Sequence, residues 1–120
     1  MGLLFKGQQG VVTSGTFSLP NDVNEHDAII VAATIQLVDI ELDMSNLSQI
    51  NTVREHVQTD GVNYRQISGK AFPTNFDPGT KSVILSFAQK NSLYKVTLQA
   101  SVVEGAAKDV KWRQMVRRLV

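Results

Sequence analysis

The chain has 120 residues, 42% hydrophobic and 19% charged, with twelve bases against eleven acids and no cysteine. A chain of this length makes one domain, able to bury roughly two-thirds of the surface it exposes when unfolded. The missing cysteines exclude disulfide frameworks, zinc-thiolate centres and thiol catalysis.

Leu3, Leu4 and Phe5 give way at once to Lys6 and Gly7, too short an apolar run for a secretion signal, and Lys6 stands where a myristoylation signal needs Ser or Thr. No stretch is long and apolar enough to span a membrane, so the expectation is a cytoplasmic or virion protein without membrane insertion. Residues 9–19 alternate, with Val11, Thr13, Phe17 and Leu19 on one side and Val12, Ser14, Thr16 and Ser18 on the other. Gly15 inside this strand signals a bulge or a close backbone approach. Pro20, Asn21 and Asp22 open a polar connection to Asp27.

Residues 28–44 form the longest apolar segment, rich in the β-branched residues that favour a pleated surface. As far as Leu37 both faces are apolar, as in a strand buried on both sides. From Val38 onward Ile40, Leu42 and Met44 alternate with Asp39, Glu41 and Asp43, so one face has come out into water. A straight strand of this length would run to roughly 58 Å, so a bend, bulge or change of sheet is expected between Thr34 and Asp39. Asn46 and Gln49 have the spacing to cap a short helix carrying Leu47 and Ile50.

Asp60-Gly61 reads as a two-residue hairpin turn that sets Thr59 opposite Val62, Val57 opposite Tyr64 and His56 opposite Arg65, with strands over 52–59 and 62–72. Asp77-Pro78-Gly79-Thr80 has the composition of a type II turn. A further hairpin is expected at Asn91-Ser92, pairing Phe87 with Val96, Leu85 with Leu98 and Val83 with Ala100. The last segment changes period. Trp112, Met115, Val116 and Leu119 fall at helical spacing, with Lys111, Arg113, Arg117 and Arg118 around them, which predicts an amphipathic helix. The expected fold is therefore all-β: one antiparallel β-sandwich of six or seven strands over 1–120, with a short C-terminal helix in a basic segment, 108–120.

Charge is unevenly distributed. Between Asp22 and Asp60 eight acids face Arg54 alone, whereas Lys108 to Arg118 holds five bases and only Asp109. Such a split lets one end of the chain cover the other, within a subunit or between copies. Asp39, Glu41 and Asp43 could attract a hard cation, but neighbours along a strand lie about 6.8 Å apart, too far to gather six to eight oxygens around calcium. No metal or cofactor is expected. His26 and His56 have no second ligand at metal spacing. No G-x-S-x-G occurs, and Ser68-Gly69-Lys70-Ala71 lacks both the first glycine and the final hydroxyl of a phosphate loop. The sequon Asn46-Leu47-Ser48 carries no weight without a secretion signal.

No nucleophile is matched with a base, so an enzyme is not expected. The reading favoured is a structural or assembly subunit, of virion or phage type, whose partner is itself or another assembly subunit. Its contact residues would be Trp112, Met115, Val116, Leu119, Lys111, Arg113, Arg117 and Arg118, set against Asp39, Glu41 and Asp43. The alternative is a carbohydrate-binding module that presents Ser86, Thr97, Gln99 and Ser101, with Asn63, Tyr64 and Asn75 in nearby loops, to a glycan. In that direction the V-x-S-G start at Val12 and the strand order are similar to H-type lectin domains at scattered positions, without that family's aromatic-rich binding edge. Nucleic acid is a third and lesser reading, resting on the basic end and Trp112.

Overall fold

The computed structural model describes residues 10–67, 74–76 and 82–118. Nine strands are found there: β1 (Val11–Leu19), β2 (His26–Val31), β3 (Ile35–Asp43), β4 (Asn51–Val57), β5 (Arg65–Gln66), β6 (Thr74–Phe76), β7 (Ser82–Lys90), β8 (Tyr94–Ala100) and β9 (Lys108–Arg118). One sheet runs β1-β9-β3-β7 and the other β2-β8-β4, with β5 and β6 both paired to the remaining edge of β4. All the pairings are antiparallel. Because β5 lies beside His56 and Val57 while β6 lies beside Asn51 to Val53, the two short strands share one lane. Each sheet thus has four lanes, in the order that two interlocked Greek keys produce, which is a jelly roll. Leu19, Val38, Ile40, Leu42, Val83, Leu85 and Val110 of the first sheet and Ile29, Val31, Val53, Tyr94, Val96 and Leu98 of the second form one buried cluster. No helix in the described residues is long and apolar enough to cross a membrane.

The apolar segment at 28–44 joins the two sheets. It breaks after Val31, slightly earlier than expected, and resumes in the opposite sheet at Ile35. Polar groups at this corner are satisfied locally: Gln89 donates to the Ala32 carbonyl (2.8 Å), the Asn91 amide donates to the Thr34 carbonyl (3.0 Å), and buried Gln36 donates to the Gln89 side chain (2.8 Å). Burial on both faces is not observed, since Ile30 and Ile35 are exposed. Each sheet has only one face against the core, so strict alternation holds instead. Through β3, Gln36, Val38, Ile40 and Leu42 point inward while Ile35, Leu37, Asp39, Glu41 and Asp43 are on the outer face.

Several local expectations are corrected. Asn91 is at the tip of a turn, with φ of 61°, but that turn crosses from one sheet to the other. β7 pairs with β3, and β8 with β2 and β4, so Leu85 and Leu98 belong to opposing sheets rather than to neighbouring strands. Asp60-Gly61 does not make a two-residue hairpin. The Asp60 carboxylate accepts the backbone amides of Val62 (2.9 Å) and Asn63 (2.8 Å), which closes a longer loop and sets His56 opposite Gln66 and Val57 opposite Arg65. After β3 the chain makes a turn at Ser45-Asn46 rather than a capped helix, and Leu47 is buried in the core. The Asp77 to Thr80 turn, Ser68 to Ala71, Leu119 and both chain ends lie outside the described residues.

The C-terminal segment is a strand, not a helix, and one of the two interior lanes of its sheet. β9 pairs with β1 on one side and β3 on the other. Trp112 and Val116 fit a helical stripe and a strand face equally well, so periodicity alone admits either; two flanking ladders of unpaired backbone decide for strand, because a short isolated helix is marginal in water. Val110 is fully buried, with Trp112, Gln114 and Val116 following it on the inner side. Gly15 sits opposite Trp112, and a Cβ there would come within 2.6 Å of the indole Cζ2. The register has no bulge at this point, so the glycine serves the close approach of the ring.

Candidate functional site

The outer face of the β1-β9-β3-β7 sheet gathers most of the residues singled out for contact. Because residues two apart share a face, register alone aligns them in rows. Ser14, Arg113, Glu41 and Ile84 form the middle row. Val12, Met115, Asp39 and Ser86 lie on one side of it, and Thr16, Lys111, Asp43 and Ser82 on the other. Acids thus run down β3 and bases down β9 in adjacent lanes. Arg113 reaches Glu41 Oε2 at 3.3 Å and Arg117 reaches Asp39 at 3.5 Å, while Ser86 donates to Asp39 at 2.6 Å. The Ser45 hydroxyl and amide hold the Asp43 carboxyl below its usual range, with Lys111 adding to the effect against a small opposing burial. Apolar side chains are interspersed: Ile84 is 66% exposed and Val12 56%, and with Asp39, Glu41, Arg113 and Met115 they line a depression of about 430 Å³. Among the described residues no three His, Asp or Glu side chains converge as a metal site would require.

The fold recurs in known assemblies. A capsid structure of Helicobacter pylori bacteriophage KHP30 superposes with a TM-score of 0.54 at 10% identity, over 92% of this chain and 92% of that one. A pilus structure from Bacillus endospore appendages, described as disulfide-linked, superposes with a TM-score of 0.52 at 11% identity, over 94% of this chain and 90% of that one. At such identity the likeness is one of fold. No protein-family model matches the sequence, and no curated protein matches it by sequence.

The expected contact set is divided by the sheet. Met115, Lys111, Arg113 and Arg117 are on the outer face with the β3 acids, whereas Trp112 and Val116 turn to the core. Arg118 pairs with Gln36 in the backbone register. The alternative ligand face is split between the two sheets. Ser86 belongs to the charged face just described, while Thr97 and Gln99 project from β8 on the opposite side of the molecule. There Thr97 donates to Glu25, and Gln99 accepts from Arg54 and donates to the Val23 carbonyl (2.9 Å). The Ser101 amide donates to the Ile50 carbonyl at 2.9 Å, Asn63 caps Asp60, and Tyr64 lies under the Lys95 ammonium at 4.4 Å. Asn75 stands opposite Thr52 in β6.

Two clusters escaped the sequence reading. Glu25 accepts from Thr97 and from His56 Nε2 (2.9 Å), with Arg54 at 4.0 Å. Partial burial would raise its carboxyl, but these hydrogen bonds and the charges of His56 and Arg54 outweigh that and lower it. Thr97 Oγ1 also lies 3.4 Å from His56 Nε2, farther than from the carboxylate to which it donates. The second cluster is Glu104, in the loop before β9. It accepts the Ser48 amide (2.7 Å) and hydroxyl (2.8 Å), the Gln49 amide (3.0 Å) and the Asn51 side-chain amide (3.2 Å). No spacing signal marks either acid, because their hydrogen-bond partners are between 31 and 72 residues away.

Proposed function

We propose that this chain is a non-enzymatic structural subunit that associates with copies of itself to build a virion, phage-type or filamentous assembly. The observation that carries the reading is the outer face of the β1-β9-β3-β7 sheet, where exposed Ile84, Val12, Ile35 and Leu37 stand among matched acids and bases. A solvated face has no need of large apolar side chains in such numbers, whereas a contact face uses them for affinity and its charges for register. The jelly-roll order supports the reading, because two four-lane sheets packed face to face leave broad outer faces for contact. Without cysteine in these 120 residues the contact is not disulfide-linked, unlike the pili that share the fold.

Light scattering over a range of concentration and salt tests the proposal. A mass well above the 13.2 kDa monomer, falling as salt rises, is the expected result. A monomer at every concentration and at low salt refutes it.

A further inference from the structure

Resting on that reading, we infer that the outer face of the β1-β9-β3-β7 sheet docks on the same face of a second copy, about a two-fold axis that runs parallel to the strands above the seam between β3 and β9. The order of the lanes fixes the axis. Acids occupy β3 and bases occupy β9, side by side near the centre of the face. Rotation about an axis parallel to the strands exchanges left and right lanes and leaves the rows level. Each β9 then lies over the partner's β3 and each β1 over the partner's β7. Arg113 meets Glu41 of the other copy, Glu41 meets its Arg113, and Lys111 meets its Asp43.

The other two-fold axis in the plane of the face, across the strands, would lay β9 over β9 and β3 over β3. That sets bases against bases and acids against acids. An isologous contact must be complementary to itself, so the charge pattern selects the first axis.

The flanks agree with this arrangement. Ser14 and Thr16 of β1 and Ser82 and Ser86 of β7 are small enough for two sheets to approach to about 10 Å, the usual face-to-face spacing. Val12 and Ile84 come into the same lane one row apart, which gives each a neighbouring apolar group. Packed sheets twist by about 30° against one another, so register is best kept in the middle row, where Arg113 and Glu41 stand. Their own ion pair does not consume them: Arg113 is 60% and Glu41 48% exposed, so both keep a free side turned outward. A polyanion is the weaker occupant, because Asp39, Glu41 and Asp43 offset Lys111, Arg113 and Arg117 on the same surface.

The test is a mixing experiment with Glu41→Arg and Arg113→Glu, each checked for native circular dichroism and followed by sedimentation equilibrium at low salt. Alone, each variant sets like charges across the axis and should weaken association by about tenfold or more. Mixed in equal amounts, the variant carrying two bases at the centre faces the variant carrying two acids, and association should return. An ion pair acting only within one chain cannot be rescued by mixing. Association of either variant at wild-type strength, or a mixture that stays dissociated, overturns the inference. In the first case, with the wild type still associating, the contact lies on another surface and the assembly reading stands; a monomeric wild type removes both. A measurement that needs no variant is the wild-type dissociation constant, which should rise with salt, and a salt-independent value also overturns the proposal.

Discussion

Glu104→Gln isolates the carboxylate that ties the β3–β4 connection to the loop before β9. The substitution keeps the shape, so no cavity term enters. Glu104 is buried and accepts four hydrogen bonds, two at each oxygen, and every partner is a donor. A glutamine in either orientation keeps one acceptor and turns an NH2 group toward two donors. Two charge-assisted bonds, each about 1.5–3 kcal/mol, are lost, and the remaining two become neutral. Allowing for relaxation of an exposed loop, the expected cost is about 2–4 kcal/mol, or roughly 10 °C in Tm for a domain of this size. The pH dependence gives a second reading. Burial alone would raise the Glu104 carboxyl, but the Ser48, Gln49 and Asn51 donors outweigh it, so the folded value lies below that of an ordinary glutamate. A depressed carboxylate contributes stability above its unfolded value and loses it as pH falls through the folded value. Urea unfolding followed by circular dichroism should therefore show a gap between wild type and variant that is full near neutrality and closes in acid. A gap below about 1 kcal/mol at neutral pH, or one unchanged in acid, refutes the account of this cluster.

Gly15→Ala drives a methyl to within 2.6 Å of the Trp112 ring and should cost about 1–3 kcal/mol. Trp112 is the only tryptophan, so a shifted emission maximum should accompany the loss, and an unchanged spectrum would show that the ring is not held as described. Leu98→Ala leaves a hole between the sheets at a fully buried site and should cost about 2–5 kcal/mol; a loss under about 1 kcal/mol would place Leu98 outside the core. Deleting 108–120 removes the lane between β1 and β3, together with buried Val110, and should abolish cooperative thermal unfolding. A truncated chain that still melts cooperatively would contradict the central placement of β9.

Periodicity reports which face of a strand is apolar and is silent about which strand lies beside it. Val83 and Leu85, and likewise Val96, Leu98 and Ala100, were legible as inward residues, and all are buried. Their lanes were not legible, since a turn at Asn91 can pair two strands in one sheet or carry the chain across to the other. The acid column of β3 and the bases of β9 were visible as residues. Their alignment row by row depended on β9 being a strand, which Trp112 and Val116 left open by fitting both periods. The Gly15 signal proved local and correct as a close approach, because a missing side chain inside a strand has few other causes. Glu104 could not have been found, since its four donors come from a loop more than fifty residues earlier.

β9 follows every other described strand in the chain yet takes an interior lane of its sheet, and this constrains how the molecule comes into being. Among the described strands β1 has no hydrogen-bonding neighbour until β9 is in place, and β3 has only β7. The strands of the second sheet all precede residue 101, so that sheet can close without β9. The first sheet must wait with two open edges facing a gap one strand wide. Until β9 inserts, that gap accepts any β-prone segment, including one from a neighbouring copy. Insertion of β9 seals the gap from within, so premature association between copies is limited by how quickly residues 108–118 find their lane.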